Sequence, residues 1–290
     1  MSARKTMALL LALGMILALA ACGGTAPAAQ EGAKEEPVQE EPAEEKVEIV
    51  VFAAASMTET LTELKSVYET AHPGVTLIYS FGSSGDLKKQ IQEGNPCDLF
   101  ISAGQKQMNQ LDISDSTGNN TDGLDFVLAE SRVNLLENKV VLVVPENNPK
   151  GIDSFDKLAE LLKAGDVFMA MGGESVPVGQ YTQKILAYYG LSEEDLVNAG
   201  CITYGSDVKE VTSQVKAGSV DCGVVYCTDA FSNGVTKVDE ATAEMCGQVI
   251  YPAALIKSGA HPEAAREFLD FLKTPEAMAV FEAVGFSPVA

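Results

Sequence analysis

The chain has 290 residues, of which 46% are apolar and 21% charged, so length and composition predict about two domains with real hydrophobic cores. The formal net charge is −21 and the only arginines are Arg4, Arg132 and Arg266, which argues against a basic face for nucleic acid and against an arginine-clamped phosphate site. There is no tryptophan, and the two histidines, His72 and His261, are too few for a histidine-rich metal site.

The first 22 residues are organised as an export signal. Arg4 and Lys5 precede 15 residues without a charge, 7–21, a run too short for a comfortable membrane span. The run ends in LAAC, which resembles the bacterial lipoprotein cleavage box whose cysteine, here Cys22, receives lipid. An ordinary signal peptide with an incidental cysteine, or a short span, is the alternative. We expect an extracytoplasmic protein that acyl chains on Cys22 anchor to the cell membrane.

Residues 23–46 have the composition of a disordered acidic tether. They contain seven Glu, two Lys and three Pro, with no aromatic residue, and bury too little apolar area to offset their chain entropy. The remaining residues, 47–290, carry a formal net charge of −18. The folded part of the protein is therefore acidic in its own right.

From residue 47 onward, short β-rich runs alternate with amphipathic segments. The predicted strands are 47–53, 75–80, 98–102, 139–145, 167–171, 201–204, 222–226 and 248–256. The predicted helices are 57–71, 85–93, 154–164, 178–189, 208–217, 262–272 and 275–283. Continuously apolar strands separated by helices indicate an α/β fold with mostly parallel sheets flanked by helices.

The polar segment 112–123 is typical of a surface loop, and the strand–helix alternation restarts near Lys139. This pattern predicts two lobes, with the chain crossing around 133–139 and returning around 246–250. We assign 47–134 and 248–290 to lobe I and 135–247 to lobe II.

Four junctions at predicted helix starts are rich in small residues, three of them carry hydroxyl groups, and Lys209 is their only cation: 53–59 (AAASMTE), 81–86 (FGSSGD), 176–179 (VPVG) and 206–210 (SDVKE). In open α/β sheets, ligands bind beyond the carboxyl ends of the strands, where helix starts present unpaired N–H groups and partial positive charge. Each junction alone is accounted for by a plain helix cap. Together they indicate a site that binds an anion with N–H and O–H donors only.

Several segments closely resemble the molybdate-binding proteins of bacterial ABC importers. These segments are AAASMTETL (53–61), SFGSSGDLKKQI (80–91), GNPCDLFISAGQK (94–106), VPVGQYT (176–182), GSDVKEV (205–211) and GVVYCTDA (223–230), in the family's order and spacing. The resemblance covers about 47–290. It implies a two-lobed periplasmic-binding-protein fold of type II with a ligand cleft between the lobes.

The resemblance also implies the ligand-binding residues. The oxyanion donors are the hydroxyls of Ser56, Ser84 and Tyr226 and the backbone N–H groups of Val178 and Val208. Molybdenum is bound as molybdate through these donors, without a direct metal ligand and without a cofactor. Tungstate, nearly the same size, is expected to bind as well. The implied partners are a membrane permease and its ATPase, and we expect a monomer that binds no nucleic acid.

The chain departs from the family pattern at three positions. Gly82 and Gly85 stand where relatives often have Ala and a third Ser, and Val178 replaces the commoner Ala. None of these changes removes a proposed donor, although Val178 could narrow the pocket. We interpret Asp207 and Lys209, beside a helix start, as capping or solvent-facing residues.

A neutral-donor site has physical consequences for selectivity. The acidic lobes do not steer an anion towards the cleft, so the affinity must come from short-range dipoles that are aimed in advance. Sulfate would be disfavoured by cavity size, and protonated phosphate because a donor-only pocket offers it no acceptor.

Three alternatives remain open. The ligand could be another tetrahedral oxyanion, such as sulfate or thiosulfate. An enzyme would need Cys97 or Cys227 as nucleophile and one of the two histidines as base, and no known catalytic spacing is present, so we expect no catalysis. A purely structural surface protein is the third.

Besides Cys22 there are five cysteines, an odd number that leaves at least one thiol unpaired in an exported protein. None forms a C-x-x-C pair. The simpler interpretation is that they are small buried residues, and one disulfide, Cys201 to Cys222, is the alternative. The five are Cys97, Cys201, Cys222, Cys227 and Cys246.

Overall fold

The computed structural model describes residues 46–289. The predicted signal segment, with Cys22, and all but the last residue of the predicted tether lie outside the described residues. Within 46–289, no helix combines the length and apolar character that crossing a membrane requires.

Six strands form the first sheet: β1 (Val47–Ala54), β2 (Val75–Gly82), β3 (Leu99–Ile101), β4 (Val133–Asn138), β10 (Val249–Leu255) and β11 (Ser287–Pro288). Their order across the sheet is β11-β4-β10-β3-β1-β2. The central strands β1, β3 and β10 are almost wholly buried, which is why their sequences are continuously apolar.

Five strands form the second sheet: β5 (Val140–Val144), β6 (Met169–Gly172), β7 (Ile202–Gly205), β8 (Cys222–Tyr226) and β9 (Thr236–Glu240). Their order is β7-β6-β8-β5-β9. Strands β5 and β8 are buried along their whole length. Each sheet is thus the centre of one lobe.

Helices flank both sheets. The first lobe has a 3₁₀ turn, Ala55–Met57, followed by α1 (Thr58–Ala71), then α2 (Ser84–Gln92), α3 (Gln105–Asn109), α10 (Pro262–Phe271) and α11 (Pro275–Ala283). The second has α4 (Phe155–Ala164), α5 (Pro177–Tyr188), α6 (Glu193–Asn198), α7 (Val208–Lys216), α8 (Cys227–Asn233) and α9 (Ala243–Cys246). Helix α1 buries the apolar stripe that its sequence predicts, with Leu61, Leu64 and Tyr68 in the core.

The chain crosses between the sheets at Lys139, the single residue between β4 and β5, and returns through the segment between β9 and β10. Strand β4 pairs with β10 and β11 and belongs wholly to the first sheet, so the boundary we assigned between 134 and 135 falls inside a strand. Polar residues such as Asn134 and Glu137 interrupt the apolar pattern of β4, which is why the sequence did not predict this strand. Segment 112–123 lies outside every helix and strand, as expected for a loop.

Both sheets are mixed, whereas the alternation predicted mostly parallel ones. The β1–β2, β1–β3, β6–β7 and β6–β8 pairs are parallel. Among the described residues, four of the five antiparallel strand pairs involve β5 or β10, the strands that enter each lobe from the other, and the fifth joins β11 to β4. A strand entering from the opposite lobe runs against the strands built by local βαβ units, which explains the difference.

The five cysteines within 46–289 are free thiols. The alternative of a Cys201–Cys222 disulfide is not realised there. Burial raises the pKa of the Cys97 and Cys222 thiols, so both stay protonated and inert as small core residues.

Candidate functional site

All five residues that the resemblance implied as oxyanion donors line one small cavity between the lobes, the interlobe cavity. Its empty volume is about 200 Å³. Each of the five is at most 5% exposed, so the cavity is closed to solvent. The lining residues are Ala54, Ala55, Ser56, Gly82, Ser83, Ser84, Ala103, Val176, Pro177, Val178, Asp207, Val208 and Tyr226.

The two serines of the first lobe stand at successive strand-to-helix junctions. Ser56 lies in the 3₁₀ turn that links β1 to α1, and Ser84 is the first residue of α2. The backbone N–H of Ala103 donates to Ser84 Oγ at 2.9 Å. Because that bond uses an acceptor site on the hydroxyl, the Ser84 hydrogen remains free to donate into the cavity.

The second lobe contributes two helix starts. Val178 is the second residue of α5, after Pro177, and Val208 is the first residue of α7. At these positions the N–H has no carbonyl one turn back within its own helix, so it is available to a ligand. Asp207 is the cap of α7 and accepts from the Glu210 N–H at 2.9 Å, in line with the capping interpretation.

Tyr226 ends β8 and caps α8, and its ring is 2% exposed. Its hydroxyl donates to the Ala103 carbonyl oxygen of the first lobe across 3.4 Å, which is long for an O–H···O bond. Burial raises the pKa of Tyr226 well above its ordinary value. The phenol therefore stays protonated, and its hydroxyl keeps the hydrogen that it needs to act as a hydrogen-bond donor.

Among the lining residues of the interlobe cavity, Asp207 is the only one with a charged side chain. Lys209 points elsewhere and pairs with Glu59 on α1, so it joins the two lobes rather than facing the cavity. The positive potential of the cavity therefore comes from the starts of α2, α5 and α7 and from the polar hydrogens. Such a site can hold an unprotonated anion by hydrogen bonds alone.

The lobes touch beside the cavity. Gly85 of α2 faces Ser175 of the second lobe so closely that a Cβ at Gly85 would lie 2.7 Å from the Ser175 Cβ and would collide with the Ser175 carbonyl oxygen. A Cβ at Gly104 would lie 3.2 Å from the Pro177 Cβ. These contacts and the buried donors identify a closed arrangement of the lobes.

Asp229, on α8, is a buried acidic residue that the sequence analysis did not single out. It is 2% exposed, and neither of its carboxylate oxygens has a hydrogen bond of normal geometry to any residue within 46–289. Burial raises its pKa to about 8, against the opposing effect of Lys209. The carboxyl is therefore mainly neutral at pH 7 and adds little negative charge near the cavity.

The residues considered for catalysis do not meet. His72 stacks on Tyr68 with ring centroids 4.1 Å apart, and His261 caps α10. Cys97 is buried, and Cys227 contacts the carbonyl of Gly285 at 3.8 Å. Within residues 46–289, no group of three or more His, Cys, Asp or Glu could hold a metal ion.

Comparisons with known proteins agree with this geometry. The family model described as bacterial extracellular solute-binding protein matches residues 49–287. A Bacillus subtilis protein, YvgL, which carries the name of an ABC transporter substrate-binding lipoprotein, is 40% identical over 84% of this chain and 88% of its own length. The molybdate-binding protein ModA of Haemophilus influenzae is 31% identical over 82% of this chain and 89% of its own.

The periplasmic molybdate-binding protein of Azotobacter vinelandii superposes with a TM-score of 0.69, at 24% identity, over 83% of this chain and all of that structure. This similarity confirms the predicted two-lobed fold class. The class of protein follows from the two lobes with a cavity between them and from the family match over most of the chain. The chain belongs to the bacterial extracellular solute-binding proteins, of the type that serves ABC transporters.

Proposed function

We propose that the chain binds molybdate and tungstate in the interlobe cavity and delivers the oxyanion to an ABC permease and its ATPase. One observation carries the proposal: five N–H and O–H donors from both lobes converge on a closed cavity that no lysine or arginine lines. The names of relatives such as the Haemophilus protein support the choice of ligand.

The donor set favours a tetrahedral dianion without a proton. Two serine hydroxyls, one phenol and two backbone N–H groups can replace much of the hydration that the ion loses on entry. Each charge-assisted bond contributes on the order of 1.5–3 kcal/mol. A protonated phosphate would bring a hydrogen that needs an acceptor, and the three hydroxyls could accept it only by turning their own hydrogens away from the anion.

Calorimetric titration of the full-length protein, dialysed free of oxyanions, tests the ligand. We expect molybdate and tungstate to bind with similar affinity, and sulfate, thiosulfate and phosphate to bind at least 100-fold more weakly. Sulfate or thiosulfate binding more tightly than molybdate would assign another ligand to the same site. No heat with any of these ions would refute an oxyanion-binding role.

The Tyr226→Phe variant tests the site. We expect molybdate affinity to fall about tenfold or more, because one donor to the dianion is lost. The melting temperature without ligand should barely change, because the bond from Tyr226 to the Ala103 carbonyl oxygen is long. Tyr181→Phe is the matched control: its ring packs edge-on against Tyr226 at 6.4 Å, yet it does not line the cavity. Equal losses of affinity in both variants would contradict the assignment.

We also propose that the protein functions without catalysis or cofactor, as a monomer attached to the membrane by lipid on Cys22. The LAAC motif and the name of the Bacillus relative support the anchor. Mass spectrometry of protein extracted from membranes should find a diacylglyceryl modification on Cys22. A soluble, unmodified product that retains residues 1–21 would contradict it.

A further inference from the structure

Behind the interlobe cavity, four buried polar side chains form one hydrogen-bonded chain. Ser56 Oγ and the Tyr251 hydroxyl are 2.9 Å apart. Asn138 Nδ2 donates to the Tyr251 oxygen at 3.1 Å and to Thr228 Oγ1 at 3.0 Å. Ser56 is 5% exposed, Tyr251 is fully buried, and Asn138 and Thr228 are each 1% exposed. Of the four, only Ser56 lines the cavity.

The direction of the hydrogens in this chain follows from Asn138. The backbone N–H of Lys139 donates to Asn138 Oδ1 at 2.8 Å, which fixes the amide so that its Nδ2 faces the two hydroxyls. Nδ2 carries two hydrogens and no acceptor, and each hydrogen has one of the two partners. The Tyr251 oxygen is therefore an acceptor towards Asn138.

The phenol hydrogen of Tyr251 then has one suitable acceptor. Among the described residues, Ser56 Oγ is the only other atom that meets the Tyr251 hydroxyl with normal hydrogen-bond geometry. A buried hydroxyl hydrogen left without an acceptor costs about 1–3 kcal/mol, so Tyr251 donates to Ser56. Ser56 is thereby an acceptor on its protein side, and its own hydrogen is left for the cavity.

We propose that Tyr251 is a positioning residue for oxyanion binding: fixed by Asn138, it donates to Ser56 Oγ and so commits the Ser56 hydroxyl to donate to the anion. This inference rests on the proposed function of the cavity. It also assigns Ser56 a role in selectivity, because a hydroxyl that already accepts from Tyr251 is a poor acceptor for a protonated ligand such as hydrogen phosphate.

The same chain links the two lobes. Asn138 ends β4, directly before the crossing at Lys139, and Thr228 belongs to α8 of the second lobe. Ser56 and Tyr251 belong to the first lobe. The amide of Asn138 is therefore shared between a lobe-II hydroxyl and the Tyr251 phenol, and the orientation of Ser56 is set at the place where the lobes are joined.

The test is Tyr251→Phe in the full-length protein, which removes one oxygen and keeps the ring. We expect molybdate affinity, measured by calorimetry, to fall about tenfold, the effect of one misdirected hydrogen bond. Tyr68→Phe is the matched control, because the Tyr68 hydroxyl is buried in the same lobe but has no hydrogen-bond partner within the described part of the chain. It should leave the affinity unchanged.

A double-mutant cycle separates positioning from general stability. If Tyr251 acts through Ser56, then Tyr251→Phe should cost no further affinity in a Ser56→Ala background. An equal fold-loss in both backgrounds would overturn the inference, as would wild-type affinity in Tyr251→Phe. Failure of the wild-type protein to bind molybdate at all would instead overturn the proposed function.

A measurement on the wild-type protein covers the case in which Tyr251→Phe does not fold. Neutron diffraction from deuterated crystals grown with molybdate locates hydroxyl hydrogens directly. Density for the Ser56 hydrogen directed at the anion, with the Tyr251 hydrogen directed at Ser56, supports the inference. A Ser56 hydrogen directed at Tyr251 overturns it.

Discussion

Two adjacent serines at the start of α2 differ in what their hydroxyl hydrogens can do. Ser83 Oγ donates to the Asp86 carboxylate at 2.8 Å and accepts from the Asp86 N–H at 3.1 Å, so it is occupied as the helix cap. Ser84 accepts from Ala103 and keeps its hydrogen. Both line the cavity, but only Ser84 is a ready donor.

The protonation state of the buried Asp229 carboxyl leads to a prediction about how the stability of the protein depends on pH. Its pKa in the folded protein is raised by burial to about 8, from an ordinary value of 3.8. Between these two pH values the folded protein holds a proton that the unfolded chain has released. Unfolding is therefore progressively favoured as pH rises through this window. The charged and titratable groups that act on it are Lys209, Glu59, Asp207, Tyr226 and Tyr251.

Asp229→Asn, which mimics the neutral carboxyl, should remove this dependence. The stability of the variant relative to wild type should increase with pH from about 4 to 8, by at most about 1.4 kcal/mol per pH unit, and level off above. Urea denaturation across this pH range measures it. Asp166→Asn, at an exposed position, is the control and should show no such trend. A relative stability independent of pH would mean that Asp229 is ionised in the fold.

At the scale of elements, the site is built from helix starts that the two lobes bring together. Gly85 lies in the first turn of α2, where the lobes approach most closely. An alanine there suits the helix, since Gly is up to about 1 kcal/mol worse than Ala inside helices, but its Cβ would meet Ser175 when the lobes are closed. The Gly85→Ala substitution should thus stabilise helix α2 and oppose closure of the two lobes.

Gly85→Ala should therefore weaken molybdate binding about tenfold or more while leaving the ligand-free melting temperature unchanged or slightly higher. Calorimetry and thermal unfolding measure the two effects. Gly74→Ala, in the same lobe but away from the cavity, is the control, because a Cβ there would meet nothing within 4 Å. If Gly85→Ala binds as tightly as wild type, the bound state does not require this contact.

Local patterns in the sequence predicted most of the longer strands and helices. Apolar runs predicted β1 and β8 nearly to the residue. The helix-start patterns marked the loops that contain Ser84 and Val208, and the family resemblance singled out these two residues. Short helices such as α8 and the polar strand β9 have too few apolar residues to show a period, and they escaped prediction.

The positioning chain behind the cavity had no sequence signal at all. Ser56 and Tyr251 are separated by 195 residues, and Asn138 reaches Tyr251 across 113. Nothing in the strand around Tyr251 distinguishes a buried phenol that supports a ligand from one that only fills the core. Such partners become visible only when the sheet order brings β10 beside β3 and β4.

For the whole molecule, charge and site act in opposite directions on an approaching dianion. The net charge of −18 over residues 47–290 repels it at long range. Three lysines, Lys88, Lys106 and Lys184, line grooves beside the cavity, and none of them forms an ion pair among the described residues. The long-range field is the larger effect at low salt, where screening lengths reach about 30 Å.

We therefore expect the association rate constant for molybdate to rise with ionic strength between about 0.01 and 0.15 M, the reverse of a steered anion site. Stopped-flow tyrosine fluorescence suits a chain with eight Tyr and no Trp. Sucrose at matched viscosity controls for diffusion. A rate that falls with salt would mean that the three lysines govern entry.

The division of the proposed donors between the halves has a consequence for unloading. Ser56 and Ser84 belong to one half, and Val178, Val208 and Tyr226 to the other. A bound ion that loses three of its five contacts in a single hinge movement regains water from that side at once. Since no lysine or arginine touches it, nothing must be neutralised first. To receive the ion, a transporter would need only to separate the two lobes, and neither a proton nor a counter-ion would have to be exchanged.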